Sequence, residues 1–179
     1  MYYSTIYPSP LGLITLACNG DNLVGLWIKG QKHYGKSIPE NLIEKDNLPV
    51  FIAAKNWLDS YFAGENPAIS ALSLSPKGSD FRQKVWSLLC EIPYGQTTTY
   101  GEIAKKVALK LQRPSMSSQA VGGAVGHNPL SIIIPCHRVV GSDGSLTGYA
   151  GGLKTKIKLL ELEGADMSKL FIPKKGTAL

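Results

Sequence analysis

The sequence predicts a mixed α/β (α+β) fold in two parts. Residues 1–76 form a small N-terminal domain of β-hairpin or sheet plus helix, and residues 77–179 a mostly helical C-terminal domain. Three observations predict it. The early part alternates at period two and then changes to a helical stripe. The later part holds capped helical segments separated by Gly- and Pro-rich turns. The two parts also differ in charge: residues 1–76 carry five basic and six acidic side chains, residues 77–179 fourteen and seven. The net charge of +6 therefore sits wholly in the second part. With 179 residues and 44% hydrophobic side chains, the chain can fill a core, which excludes global disorder.

In order, residues 11–18 are apolar, with Ile14, Leu16 and Cys18 on one face. Asn19-Gly20-Asp21-Asn22 is a turn signal and residues 23–28 return, so a hairpin is expected. Residues 29–49 read as loop with one more short element. Val50, Ala53, Ala54, Trp57, Leu58, Tyr61 and Phe62 make one continuous helical stripe, and Gly64 is placed to end it. Residues 65–78 hold two prolines and little period apart from 69–74, and the domain boundary is placed there.

Ser79 can cap a helix whose buried stripe is Phe81, Val85, Leu88, Leu89 and Ile92, and Pro93-Tyr94-Gly95 ends it. Thr99-Tyr100-Gly101-Glu102 is a capping box, which puts Tyr100 on the first helical residue, at the partly positive helix end. Ile103, Ala104, Val107 and Ala108 supply the buried face. After a basic loop a second helix is expected over residues 117–125, compatible with helix-turn-helix. Three glycines within 120–126 each cost about 1 kcal/mol relative to Ala. Such a cost is tolerated where a backbone approaches another helix or a nucleic-acid groove. Ile132-Ile133-Ile134 reads as a buried strand, Ser142-Asp143-Gly144-Ser145 as a turn, and residues 154–163 as a last helix burying Leu153, Ile157, Leu160 and Leu159.

Three cysteines, an odd number in a chain that needs no disulfides, fit a reducing cytoplasm, and the N-terminus lacks the regions of a secretory signal. No run reaches the length of a membrane span, and no membrane partner is expected. No paired Cys or His spacing suggests a metal site; Cys18 and His33 alone do not make one. Cys18 and Cys90 read as small buried hydrophobes. Cys136 follows a strand and Pro135, and His137 and Arg138 stand beside it. A base or cation near a thiol lowers its pKa. From the residues alone, a reactive thiol and an inert buried one both stand.

Ile134-Pro135-Cys136-His137-Arg138-Val139-Val140 resembles the active-site motif of the O6-alkylguanine-DNA alkyltransferase family (methylated-DNA–protein-cysteine methyltransferases). Further segments resemble the same family in the same order. In the first part these are Ser9-Pro10-Leu11-Gly12 and Tyr61-Phe62-Ala63-Gly64. In the second they are Val85-Trp86, Ile92-Pro93-Tyr94-Gly95, Thr98 through Ala104, Ala120-Val121-Gly122-Gly123-Ala124, Asn128-Pro129 and Tyr149 through Leu153. The resemblance implies a ribonuclease H-like first domain and a winged-helix-like second domain whose helix-turn-helix enters the minor groove. It implies repair of O6-methylguanine, and of O4-methylthymine, in double-stranded DNA by irreversible transfer of the alkyl group to the protein. The target base is flipped out for this.

By the same resemblance Cys136 is the acceptor, and His137 takes the thiol proton through a water, steadied by Glu163. Tyr100 presses on a phosphate and donates a proton to the leaving guanine, and Asn128 braces the turn before the active-site segment. Val139, Tyr149 and Ala150 line the guanine pocket. Tyr100, Gln119, Ala120, Gly122, Gly123 and Arg138 meet DNA. No cofactor, metal or obligatory protein partner is implied, and a monomer is expected.

Two departures stand out. Gln119 occupies the place where the family usually has an Arg that fills the gap left by the flipped base. The interval from Tyr100 to Gln119 is also longer than usual, around residues 109–116, where Lys110 and Arg113 can restore phosphate contacts. Two other classes compete. A cysteine hydrolase would use Cys136 and His137, but no oxyanion-hole motif accompanies them. A DNA-binding damage sensor or regulator without chemistry would not need the thiol that this chain keeps.

Overall fold

The computed structural model describes residues 1–174; residues 175–179, the end of a tail to which the sequence assigns no role, lie outside the described residues. The chain forms two compact units.

The first unit is Met1–Lys77 with Pro129–Ile133. Its sheet has the order β3-β2-β1-β4, built from β1 (Tyr3–Ser9), β2 (Gly12–Cys18), β3 (Leu23–Ile28) and β4 (Ile43–Glu44). β2 runs antiparallel to both β1 and β3, and β4 runs parallel to β1. The expected hairpin is β2–β3, its turn closed by Asn19 Oδ1, which accepts from the Asn22 N–H at 2.9 Å. β1 was not expected, because its hydrophobic alternation is inverted: Thr5 and Tyr7 are buried while Ile6 is exposed. α1 (Pro49–Phe62) starts on a proline, whose fixed φ suits a first turn. It buries Val50, Phe51, Ala54, Trp57, Leu58 and Tyr61; Phe51 rather than Ala53 completes the inner stripe. On the other face of the sheet Ala17, Val24 and Trp27 pack with Tyr2, Ile38 and Leu42.

Pro129–Ile133, assigned from the sequence to the second domain, packs with the first unit instead. The Leu26 N–H donates to Pro129 O (2.8 Å) and the Ser131 N–H to Leu26 O (3.2 Å). The strand expected at Ile132-Ile133-Ile134 is absent: the segment is a chain of tight turns. Ile132 sits at φ 72°, a region β-branched residues avoid, and the Ile133 N–H donates to Ser131 O across it (2.9 Å).

The second unit is Gly78–Asn128 and the chain from Ile134 onward. It holds α2 (Asp80–Leu89), β5 (Thr98–Thr99), α3 (Tyr100–Lys110), α4 (Ser118–Gly126), β6 (Val139–Val140) and α5 (Leu153–Leu162). α2, α3 and α4 pack on one another and bury Val85, Trp86, Leu89, Ile103, Val107, Val121 and Val125. The Trp86 Nε1–H donates to Ala124 O at 2.9 Å, which satisfies the one polar group of a buried indole. Ser79 caps α2, and Thr99 with Glu102 forms the expected capping box of α3. Among the described residues no helix is long and apolar enough to cross a membrane.

Candidate active site

Local backbone structure sets the position of Cys136. Pro135 lies at φ −80° and ψ 64°, and the Cys136 N–H turns back onto Ile134 O (2.8 Å). This inverse γ-turn opens a short 3-10 turn over Cys136–Arg138 that leads into β6. β6 pairs in parallel with β5, with Thr98 opposite Val139 and Thr99 opposite Val140. The ladder thus joins the residues after Cys136 to those just before Tyr100.

Cys136 is buried, with 4% of its surface exposed. Asn128 Nδ2 donates to Ile134 O (2.8 Å) and to the Cys136 sulfur (3.2 Å). One amide therefore braces the turn and supports negative charge on sulfur. Burial nevertheless dominates and pushes the thiol pKa up, with Asn128 and the charge of Lys156 opposing it. This corrects the expectation of a thiol acidified by its sequence neighbours. The resting group is a thiol that needs a base.

His137 is fully buried, and its Nε2 lies 2.6 Å from Glu163 Oε1. Burial lowers the imidazole pKa and outweighs the opposing carboxylate, so the ring is held neutral. A carboxylate at Nε2 fixes the proton there and leaves the lone pair on Nδ1. Among the described residues Nδ1 is buried without a hydrogen-bond partner. Glu163 caps the end of α5 and receives four donors. Besides His137 these are Arg138 Nε (2.8 Å) and Nη2 (3.0 Å) and the Gly95 N–H (3.2 Å). Burial disfavours its charge, but the hydrogen bonds from His137 and Arg138 and the Arg138 charge prevail and bring its pKa down to about 2. Gly95 is at φ 74°, and a Cβ there would lie 2.7 Å from Glu163 O, so only glycine fits this approach.

Arg138, expected to meet DNA, is buried and turned inward. Besides its fork onto Glu163, its Nη1 donates to Ile92 O (2.6 Å) and its guanidinium lies over the Tyr94 ring (5.6 Å). With these donors committed, its part is to hold the carboxylate.

Tyr100 opens α3, and its hydroxyl donates to Thr147 O (3.3 Å). Burial pushes its pKa up to about 12. Lys156 is a residue the sequence reading missed. It is fully buried on α5, and its Nζ donates to Val139 O (2.5 Å) and to the same Thr147 O (2.9 Å). Burial lowers its pKa to about 8 while the Cys136 charge pulls the other way. A signal was present: a lysine three residues after Leu153 and four before Leu160 lies on the buried stripe. Val139 is buried in β6, Tyr149 is buried with its ring edge-on to His137 (6.4 Å), and Ala150 is partly exposed.

The remaining candidate DNA residues lie on α4 and divide by face. Ser117 caps the helix, Gln119 and Ala120 are exposed, and Gly123 would have no neighbour within 4 Å of a Cβ. Gly122, expected at the DNA surface, is instead on the buried face with Val121 and Ala124. Lys110 pairs with Glu91 (3.1 Å), and Arg113 is exposed. Among the described residues no group of three or more His, Cys, Asp or Glu side chains is placed to hold a metal ion.

Comparisons with known proteins converge. Residues 1–76 match the family described as 6-O-methylguanine DNA methyltransferase, ribonuclease-like domain, and residues 80–165 match its DNA binding domain. A methylated-DNA–protein-cysteine methyltransferase of Methanosarcina acetivorans is 45% identical over 166 residues, 92% of this chain and 99% of the relative. That of Methanosarcina barkeri is 48% identical over 164 residues, 91% of this chain and 97% of the relative. The crystal structure of Mycobacterium tuberculosis O6-methylguanine methyltransferase matches with a TM-score of 0.78 at 39% identity, covering 98% of this chain and 97% of that one. Mycobacterium tuberculosis OGT in complex with DNA matches with a TM-score of 0.76 at 41% identity, covering 91% and 92%. On these family matches and near-full-length relatives, the chain belongs to the 6-O-methylguanine DNA methyltransferase family.

Proposed function

We propose that this chain repairs DNA by moving the alkyl group of O6-alkylguanine, and of O4-methylthymine, onto Cys136. The carrying observation is the buried Asn128–Cys136 contact beside the His137–Glu163–Arg138 network, in a chain of this family. Sulfur attacks the alkyl carbon, the S–C bond forms as the C–O6 bond breaks, and the electron pair stays on the base. The thiol proton passes through a water to Nδ1 of His137, whose positive charge Glu163 then offsets. Tyr100 gives the departing guanine a proton. Its high pKa keeps it protonated until negative charge develops beside it.

The base must leave the helix to reach a buried thiol. α4 supplies the surface for this, with Gln119 filling the gap and Ala120 and Gly123 allowing close approach. Val139, Tyr149 and Ala150 receive the base. A thioether is not reversed by any base in the site, so each molecule acts once. The protein works as a monomer, and three free thiols suit a cytoplasmic setting.

The test is to incubate the protein with a duplex containing O6-methylguanine and weigh it intact. The expected result is a gain of one methyl per chain, absent in Cys136→Ala. Tight binding without a mass gain would instead indicate a damage sensor, and turnover of an ester would indicate a hydrolase.

A further inference from the structure

The segment after α5 has no part in the chemistry above, yet it is bonded to the loop that serves Tyr100. After Gly164 the chain doubles back, with the Ala165 N–H on Leu160 O (3.0 Å) and the Leu170 N–H on Met167 O (3.1 Å). Met167 and Leu170 pack onto a cluster of Val140, Leu146, Leu160 and Ala165. Phe171 then pairs alongside Ser145. Its N–H donates to Gly144 O (3.2 Å), and its carbonyl accepts from the Leu146 N–H (2.8 Å). Gly144 is at φ 90°, and a Cβ there would lie 2.1 Å from Lys169 O, so this approach depends on glycine. The next residue after Leu146 is Thr147, whose carbonyl accepts from both the Tyr100 hydroxyl and Lys156 Nζ. The Phe171 side chain is 46% exposed, so its contribution to the pairing is backbone.

We propose that residues 165–172 form a strap that positions Tyr100 for alkyl transfer by fixing the direction of the Thr147 carbonyl. The inference rests on the proposed function. A carbonyl whose neighbour is tied into a bridge points one way. Without the bridge the loop turns, Tyr100 loses its acceptor, and the phenol is misplaced where small errors of geometry slow a reaction steeply.

A chain ending at Leu170 removes both bridge bonds, including the Leu146 N–H bond to Phe171 O, and keeps Leu170 on its cluster; Phe171→Pro removes only the N–H that reaches Gly144 O. Single-turnover methyl transfer from a duplex containing O6-methylguanine is measured for both, in the parent and in a Tyr100→Phe background, with protein in excess and long incubation. DNA affinity and melting are followed in parallel. The strap predicts transfer slowed about tenfold in the parent background, DNA affinity within about twofold, and no further slowing once Tyr100 is Phe. Equal slowing in both backgrounds, or none, overturns the strap. Should the shortened chain fail to fold, Phe171→Pro decides alone. Failure of the unaltered protein to take up methyl overturns the functional reading, and the strap with it.

Discussion

Glu163 shows how one side chain sets the state of several others. Its two oxygens take four donors, and its pKa falls from an ordinary 4.5 to about 2. A carboxylate with a depressed folded-state pKa contributes stability above its unfolded value and loses it as pH falls toward the folded one. The window is therefore from about 4.5 down to about 2. Glu163→Gln is expected to be less stable than the parent at pH 7 and to show a flatter loss of stability through that window. Denaturant melts at stepped pH check it. Lys156 is the complementary case, a buried ammonium on two backbone carbonyls whose charge favours a Cys136 thiolate. Lys156→Met is expected to slow methyl transfer about tenfold and move its rate profile to higher pH, as single-turnover rates across pH would show. The motif around Cys136 was legible, and the resemblance named Glu163 beside His137, but the inward turn of Arg138 was not legible. Arg138 looked like a surface cation because nothing local marks its partner, Glu163, which is 25 residues away.

At the scale of elements, the capped helices were the most readable features. The Thr99–Glu102 box and the Ser79 cap are local hydrogen-bonding patterns, so they stand as expected, and Ser117, expected inside the second helix, caps it instead. Thr99→Ala is expected to cost about 1 kcal/mol of stability and to loosen the start of α3, which carries Tyr100. Chemical denaturation reads the first effect and the rate of transfer the second. β1 and the turns at 131–134 were not readable, for different reasons. β1 buries Thr5 and Tyr7 and exposes Ile6, which hides its alternation, and the turns at 131–134 are imposed by a distant partner, Leu26, which bonds Pro129 and Ser131. Three consecutive isoleucines favour a strand by propensity, and tertiary bonding overrides it. Gly95→Ala tests a close approach between elements. With φ at 74° and Glu163 O at 2.7 Å from the new Cβ, it is expected to destabilise the protein by about 1–3 kcal/mol.

Across the whole molecule, charge pointed to the right half and to the wrong residues within it. The basic excess lies in residues 77–179, but Arg138 and Lys156 are buried inside the unit and Lys110 is paired with Glu91. The surface offered by α4 is small and neutral, led by Gln119 and Ala120. Gln119→Ala is therefore expected to weaken binding to alkylated duplex severalfold and to leave the salt slope unchanged, whereas Arg113→Ala lowers that slope by about one. Fluorescence titrations over a range of salt separate the two. Of the three cysteines, Cys136 alone is expected to accept the alkyl group. The chain supplies its own controls in Cys18, which is buried, and Cys90, which is half-buried. The most direct measurement uses excess duplex carrying isotopically labelled O6-methylguanine, followed by proteolysis and mass analysis of all three cysteine peptides. Label is expected to reach one per chain and to reside only in the Cys136 peptide. Label on Cys18 or Cys90, or continued turnover beyond one per chain, would contradict that expectation.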